Sequence, residues 1–330
     1  MTLSEEFIKA FDVWEEARPY LSLLVEPDEM RLVVAAQGRA LTIEQAARLL
    51  DIPRQQAATL MRRAYERHLM DKAATEGIIR YTPSTFWHRL DHFAKYENWD
   101  HIPAKDRQRI NRRFLDEFIA RHRANVTRMM RGLPPTDGVP NDAVLLLHEA
   151  EAMLEAATHI IVQPCDCRRL GQNCDRPVET CIWLDDVALE ALDRGHGRRL
   201  TREGAIALVR RADKAGLMHT ADSEWQTRGL HAICNCCACD CYPFRAAQEL
   251  GSKGVWPRTR YVAVHDAQSC NLCGACVKRC HFDAFYYDGR TVEVDGKAAK
   301  NVAYDPERCW GCGLCANTCP SQAIVMEPST

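Results

Sequence analysis

The stretch CNLCGACVKRC (residues 270–280) decides how the C-terminal end of this chain folds, because its pattern returns in CWGCGLCANTCP (309–320). Both copies follow C-x2-C-x2-C-x3-C, and the second ends in proline. Thiols at that density need either disulfide partners or metal. All 17 cysteines lie between Cys165 and Cys319, and the first 164 residues contain none. An odd count argues against a disulfide framework. So does the start of the chain: MTLSEEFIKAFDVW carries acids where a secretory leader carries lysines and arginines, and no apolar core follows it. Metal ligation is the reading that remains.

The 330 residues suffice for two or three domains. A formal charge of −2 excludes a chain built to coat nucleic acid or an anionic membrane. No run approaches the roughly 20 apolar residues of a spanning helix, so a soluble, cytoplasmic protein is expected. The expected fold class is α+β with a mainly helical N-terminal half. The parts are a winged-helix-like domain at 1–131, a cysteine-rich domain at 132–258 and a ferredoxin-like domain at 259–330.

The paired motifs resemble the bacterial dicluster ferredoxin module, which holds two 4Fe–4S clusters. The likeness runs from Tyr261 to Met326. It implies that Cys270, Cys273, Cys276 and Cys319 hold one cluster, and Cys309, Cys312, Cys315 and Cys280 the other. A four-iron cube has four corners, and a short loop wraps three of them with thiolates two residues apart. The fourth thiolate comes from elsewhere, in this module from the other motif. Gly274, Gly311 and Gly313 suit backbone that passes close to a cluster and aims N–H groups at sulfur. The first motif ends Cys280-His281 where the module has proline, a position that does not ligate. His281 either adjusts a potential through a hydrogen bond or is inert. FYYDGRTVEVDGKAAKNVAYDP alternates like a small hairpin, while Trp310 and Tyr286 read as packing residues.

Nine cysteines remain. PCDCRRLGQNCDRPVETC supplies Cys165, Cys167, Cys174 and Cys181; ICNCCACDCYPF supplies Cys234, Cys236, Cys237, Cys239 and Cys241. All nine are expected metal ligands. Cys234/Cys237 and Cys236/Cys239 are interleaved C-x2-C pairs, and adjacent thiols rarely reach one centre from the same side. Two sites are therefore expected, or one site and a neighbouring reactive thiol. One or two additional 4Fe–4S clusters are the favoured content, with structural zinc as the alternative. Asp240 is either an oxygen ligand or a surface residue. The pattern CDCR…ICNCC also resembles a poorly characterised group of four-iron–four-sulfur proteins of anaerobes, a likeness that adds no activity. His148 and His159 read as ordinary helix residues rather than ligands.

In the cysteine-free part, DEMRLVVAAQG (28–38) reads as a helix ending at Gly38. Thr42 and Gln45 match a capping box for a helix stopped by Pro53. RQQAATLMRRAYERHL (54–69) is a third helix, and GIIRYTPSTFWHRL offers a β-like segment. This order resembles a winged helix-turn-helix with 54–69 in the recognition position. Arg54, Arg62, Arg63 and Arg67 favour DNA binding. The balance of 22 Lys and Arg against 19 Asp and Glu over 1–131 opposes it, so a docking role is preferred. A long charged helix is expected at 103–131, a linker at GLPPTDGVP (132–140), and an amphipathic helix over NDAVLLLHEAEAMLEAATHII.

The leading functional expectation is an electron-transfer protein or subunit working with redox partner proteins. A partner subunit would carry any flavin or metal site, because the chain has no G-x-G-x-x-G fingerprint; RGHGRRL (194–200) follows no strand signal. The alternatives are a catalytic reductase with a site-differentiated cluster and a redox-sensing winged-helix regulator.

Overall fold

The computed structural model describes residues 2–136, 142–294 and 297–329. From residue 137 onward the expected linker lies outside the described residues. The chain forms two compact units. The first runs to Asp116 and includes Arg169–Gly171 and Asp193–His196; the second holds the remainder.

In the first unit, α1 (Leu3–Ala10), α2 (Leu21–Leu24), α3 (Pro27–Ala36), α4 (Ile43–Leu50) and α5 (Arg54–Glu66) precede an antiparallel hairpin of β1 (Met70–Thr75) and β2 (Ile78–Pro83). The Thr42–Gln45 capping box closes reciprocally at 2.8 and 3.3 Å, which fixes where α4 starts. Residues 86–90 are helical rather than β-like: Thr85 caps α6 (Phe86–Tyr96), and Phe86, Leu90 and Phe93 recur at helical spacing on a buried face. An aromatic core of Phe7, Phe11, Trp14, Phe86 and Phe114 packs edge-on or tilted.

The arginines of α5 and the residue after it are already engaged. Arg54 meets Glu44 at 2.8 Å and Arg62 meets Glu66 at 2.6 Å. Arg63 pairs with Asp28 (2.6 Å) and Arg67 with the fully buried Glu29 (2.6 Å). Buried Arg89 donates to Leu24 O and to Glu97. Arg63, Arg67 and Arg89 tie separate segments of the unit to one another, and Arg54 and Arg62 are exposed but each paired with an acid.

α7 (Ala104–Met130) is the expected long helix and passes through the boundary at residue 116. The second unit centres on an antiparallel six-stranded sheet. Its elements are β3 (Asp142–Leu145), α8 (Leu147–Ala156), β4 (Ile160–Pro164), α9 (Asp166–Gly171), β5 (Glu179–Leu184), α10 (Asp185–Asp193), β6 (Arg198–Arg199), α11 (Arg202–Lys214), β7 (Met218–Asp222), α12 (Trp225–Arg228), β8 (Ala232–Cys236) and α13 (Tyr242–Leu250). The strand order is β3-β7-β8-β5-β4-β6. The helix expected over 141–161 is real only at α8, because both flanking apolar runs are strands of the sheet. Short apolar runs fit a buried strand and a buried helix equally well. α8 and α11 cover one sheet face through Met153, Leu154, Leu208 and Val209 against Val162, Ile182 and Ile233.

Beyond the sheet, β9 (Tyr261–His265), α14 (Ala275–Arg279), the hairpin β10 (Phe285–Val294) and β11 (Lys297–Tyr304), α15 (Leu314–Thr318) and β12 (Ile324–Pro328) complete the chain. β9 and β12 pair antiparallel, as do β10 and β11. Among the described residues no helix is long and apolar enough to cross a membrane.

Candidate metal centres

Each motif in the C-terminal module takes the same path: a loop, a glycine in the left-handed region, a short helix and a terminal cysteine. Gly274 (φ +69°) leads into α14 and Gly313 (φ +76°) into α15. Cys280 and Cys319 are the residues that end those helices. Gly311 sits so close to Tyr261 that an added Cβ would run into its carbonyl oxygen. A side chain is excluded there on two counts, contact and φ.

Cys276 and Cys315 are buried in one core with Ala263, Phe285, Val302 and Ile324, and Cys280, Cys309 and Cys319 are packed against it. Burial, reinforced by Cys270 and Cys273, pushes the Cys276 thiol up to about 11. Burial, then Cys309 and Cys280, pushes Cys312 up to about 12. Cys315 is raised for the same reason, with Cys312, Cys309 and Cys280 as its charged neighbours. Cys280, from the first motif, thus stands in the field of the second motif's three cysteines. Four thiolates gathered in a low-dielectric pocket repel one another, and a cationic iron cluster relieves that repulsion; the donor set fits the group. Two backbone donors already aim at sulfur: Ala284 N–H at Cys280 (3.2 Å) and Gly311 N–H at Cys309 (3.4 Å). His281 bonds Gly216 O at 2.6 Å. Beside it Arg279 donates to Asp213 O, so both residues tie the module to the end of α11.

The middle cysteines leave the ends of neighbouring strands. Cys165 follows β4, Cys181 lies on β5, and Cys234 and Cys236 lie on β8. Strand alternation puts Ile182 and Ile233 in the helix-covered core and turns Cys181, Cys234 and Cys236 to the opposite face. Thiol–thiol contacts then join six sulfurs in series: Cys165–Cys167, Cys167–Cys241, Cys241–Cys236 at 3.3 Å, Cys236–Cys234 and Cys234–Cys181. Donation by Cys165 and Cys241 brings Cys167 down to about 6, and donation by Cys234 and Cys241 does the same for Cys236.

Cys237, one residue past the strand, faces the other way. It lies 3.8 Å from Cys174 and 3.9 Å from Asp240 Oδ2, while Cys174 is 3.3 Å from that oxygen. One ligand atom from each of Cys174, Cys237, Cys239 and Asp240 falls within 4.8 Å of the others. Asp240 is fully buried, and its second oxygen is held by Asn173 Nδ2 at 2.7 Å. Arg176 donates to Cys239 at 3.5 Å. Arg168, 2% exposed, stands in the field of both groups: burial lowers its pKa, and Cys165, Cys237 and Cys236 more than offset that.

Neither His148 nor His159 joins these close groups among the described residues. His219 is buried and bonds Asn235 Oδ1 at 2.8 Å, so it braces β7 against β8. Arg168 and Asn173 were missed from sequence; the only signal was their position between the first cysteines.

A model of the 4Fe-4S dicluster domain matches residues 269–323. Subunit IorA of indolepyruvate oxidoreductase from Thermococcus kodakarensis is 29% identical over 119 residues, 36% of this chain and 16% of that one. Subunit PorD of pyruvate synthase from Thermotoga maritima is 45% identical over 51 residues, 16% of this chain and 50% of that one. An uncharacterized ferredoxin of Methanocaldococcus jannaschii is 32% identical over 62 residues, 19% of this chain and 73% of the ferredoxin. The chain thus spans half or less of the length of the two oxidoreductase subunits. No solved structure matches it. Through its C-terminal module, this chain belongs to the 4Fe-4S dicluster ferredoxins.

Proposed function

We propose that the chain passes single electrons between a donor and an acceptor protein, through the two clusters of the ferredoxin module and at least one further metal centre in the cysteine-rich region. One observation carries this reading: Cys236 and Cys241 of the six-thiol group share a packed core with Phe244, Trp310 and Leu314, against which Cys312 of the ferredoxin module also packs. Phe244 and Trp310 lie 5.3 Å apart, and Trp310 stacks on Phe282 at 4.6 Å. When bound, a 4Fe–4S cluster accepts and returns one electron. The protein's part is to keep water out between centres with that aromatic core and to set potentials with N–H donors to sulfur.

The six-thiol group is assigned an additional iron–sulfur cluster. The compact Cys174, Cys237, Cys239 and Asp240 set suits one tetrahedral ion: bonds of roughly 2.3 Å to sulfur place thiolates about 3.8 Å apart. Two relatives are subunits of indolepyruvate oxidoreductase and pyruvate synthase, which supports a partner of that kind that would hold any flavin or substrate site. The parts at 1–131, 132–258 and 259–330 then serve as a winged-helix-like docking module, an inner relay and a ferredoxin outlet. Neutralised arginines on α5 favour docking to protein over reading DNA.

The test is an anaerobic reductive titration followed by electron paramagnetic resonance. The reading expects uptake of about three electrons or more per chain. Uptake of two at most would remove the additional centre, and uptake of none would remove the whole proposal.

A further inference from the structure

The first unit contains a different ligand set, made of histidines. His68 follows α5, His92 lies on α6, and His196 comes from the RGHGRRL stretch, whose Asp193–His196 segment belongs to this unit. One ring nitrogen from each falls within 4.8 Å of the others. His92 and His196 are 5% and 8% exposed.

The hydrogen bonds fix which nitrogens are free. Nε2 of His92 lies 3.1 Å from Glu97 Oε1, and Glu97 is held as a carboxylate by Arg67 and Arg89. Nε2 of His196 lies 2.7 Å from the Glu66 carbonyl oxygen. Both partners only accept, so each neutral ring donates Nε2–H and keeps its lone pair on Nδ1. Nδ1 of His92 and Nδ1 of His68 are buried without a hydrogen-bond partner among the described residues. Burying such a ring nitrogen without a partner costs about 1–3 kcal/mol. His68 also takes a left-handed backbone, φ +57°, which a β-carbon residue adopts at a cost. Ligating histidines characteristically donate their second nitrogen to a carboxylate or a carbonyl, the arrangement seen for His92 and His196.

We propose that His68, His92 and His196 form a three-imidazole site for one divalent transition-metal ion of the zinc class, with a fourth position left for water or a small anion. Tyr96, Glu97 and Arg194 line the adjoining pocket, from which the fourth ligand would enter. Glu97, paired with Arg67 and Arg89, acts on the site by orienting the His92 ring. The site is independent of the iron–sulfur reading.

The experiment uses the full-length, iron-replete Cys237→Ala chain, so that the Cys174 group does not compete for metal. Loaded with zinc and desalted, it should retain about one equivalent that is lost in the added His92→Ala or His196→Ala variants, with iron and sulfide unchanged. Zinc K-edge absorption of Cys237→Ala itself, which needs no histidine variant, should show imidazole outer-shell scattering. Equal zinc with and without the histidines, or a zinc spectrum of sulfur and oxygen alone, would overturn the proposal.

Discussion

Replacing Arg168 by methionine should damage the cysteine-rich region in two separable ways. The side chain is 2% exposed and donates to Pro177 O (2.9 Å), Asn235 O (2.7 Å) and Thr180 Oγ1. Methionine keeps the unbranched apolar stem but stops short of the guanidinium and removes every donor, leaving three inward-facing acceptors. At about 1–2 kcal/mol for each, partly relieved by relaxation, the loss of stability should be about 3–5 kcal/mol. That is a large part of what a domain has. The lost charge has a second effect: Arg168 is the buried cation beside Cys165, Cys236 and Cys237. Reduction adds a negative charge to a centre there, so removing the cation should lower its potential. A differential of about 1.4 kcal/mol corresponds to roughly 60 mV for one electron. Anaerobic denaturant unfolding followed by circular dichroism reads the first effect, and potentiometric titration of the middle centre reads the second. Arg168→Lys should restore part of the potential and less of the stability, because an ammonium cannot meet three fixed acceptors in one plane. An Arg168→Met protein with wild-type unfolding and an unmoved potential would refute the reasoning.

Other outcomes follow from single residues. Cys280→Ala should cost about four irons and four sulfides and remove the second motif's cluster, although Cys280 belongs to the first motif; loss of the first motif's cluster instead would reverse the pairing. Gly311→Ala should reduce iron incorporation and lower the melting temperature by several degrees, since its Cβ meets the Tyr261 carbonyl. His122 stacks on Trp256 at 5.0 Å, and burial lowers its pKa, with only the Phe118 carbonyl opposing. The unfolded chain therefore binds the extra proton below about pH 6.5, and stability of the second unit should fall as pH drops through that value. His122→Gln should flatten that slope; an unchanged slope would mean that other groups set it.

Much of the C-terminal module was legible because ligand spacing is a local code: a thiol every third residue dictates the loop, and Gly274 and Gly311 mark where it bends. The hairpin at 285–304 and the Thr42–Gln45 cap are local in the same sense. The strands at 142–145 and 160–164 were not legible, because a four- or five-residue apolar run has too few turns to show its period. That Cys236 and Cys237 serve different groups was legible because adjacent thiols rarely reach one centre from the same side, whereas the meeting of Cys174 with Asp240 depends on how Asn173 folds back, which no spacing states. His68, His92 and His196 come from three distant segments joined only by packing. Arg63 and Arg67 read as part of a basic face because their acidic partners, Asp28, Glu29 and Glu97, lie 30 to 38 residues away in sequence.

The central claim is that two matched loops of thiolate each enclose a four-iron cube and exchange one ligand. Iron, acid-labile sulfide and zinc should be counted on anaerobically purified protein. About eight irons and eight sulfides belong to the module alone, with about twelve if the six-thiol group holds a further cluster. Fewer than eight irons, or zinc in place of iron at those loops, would contradict it.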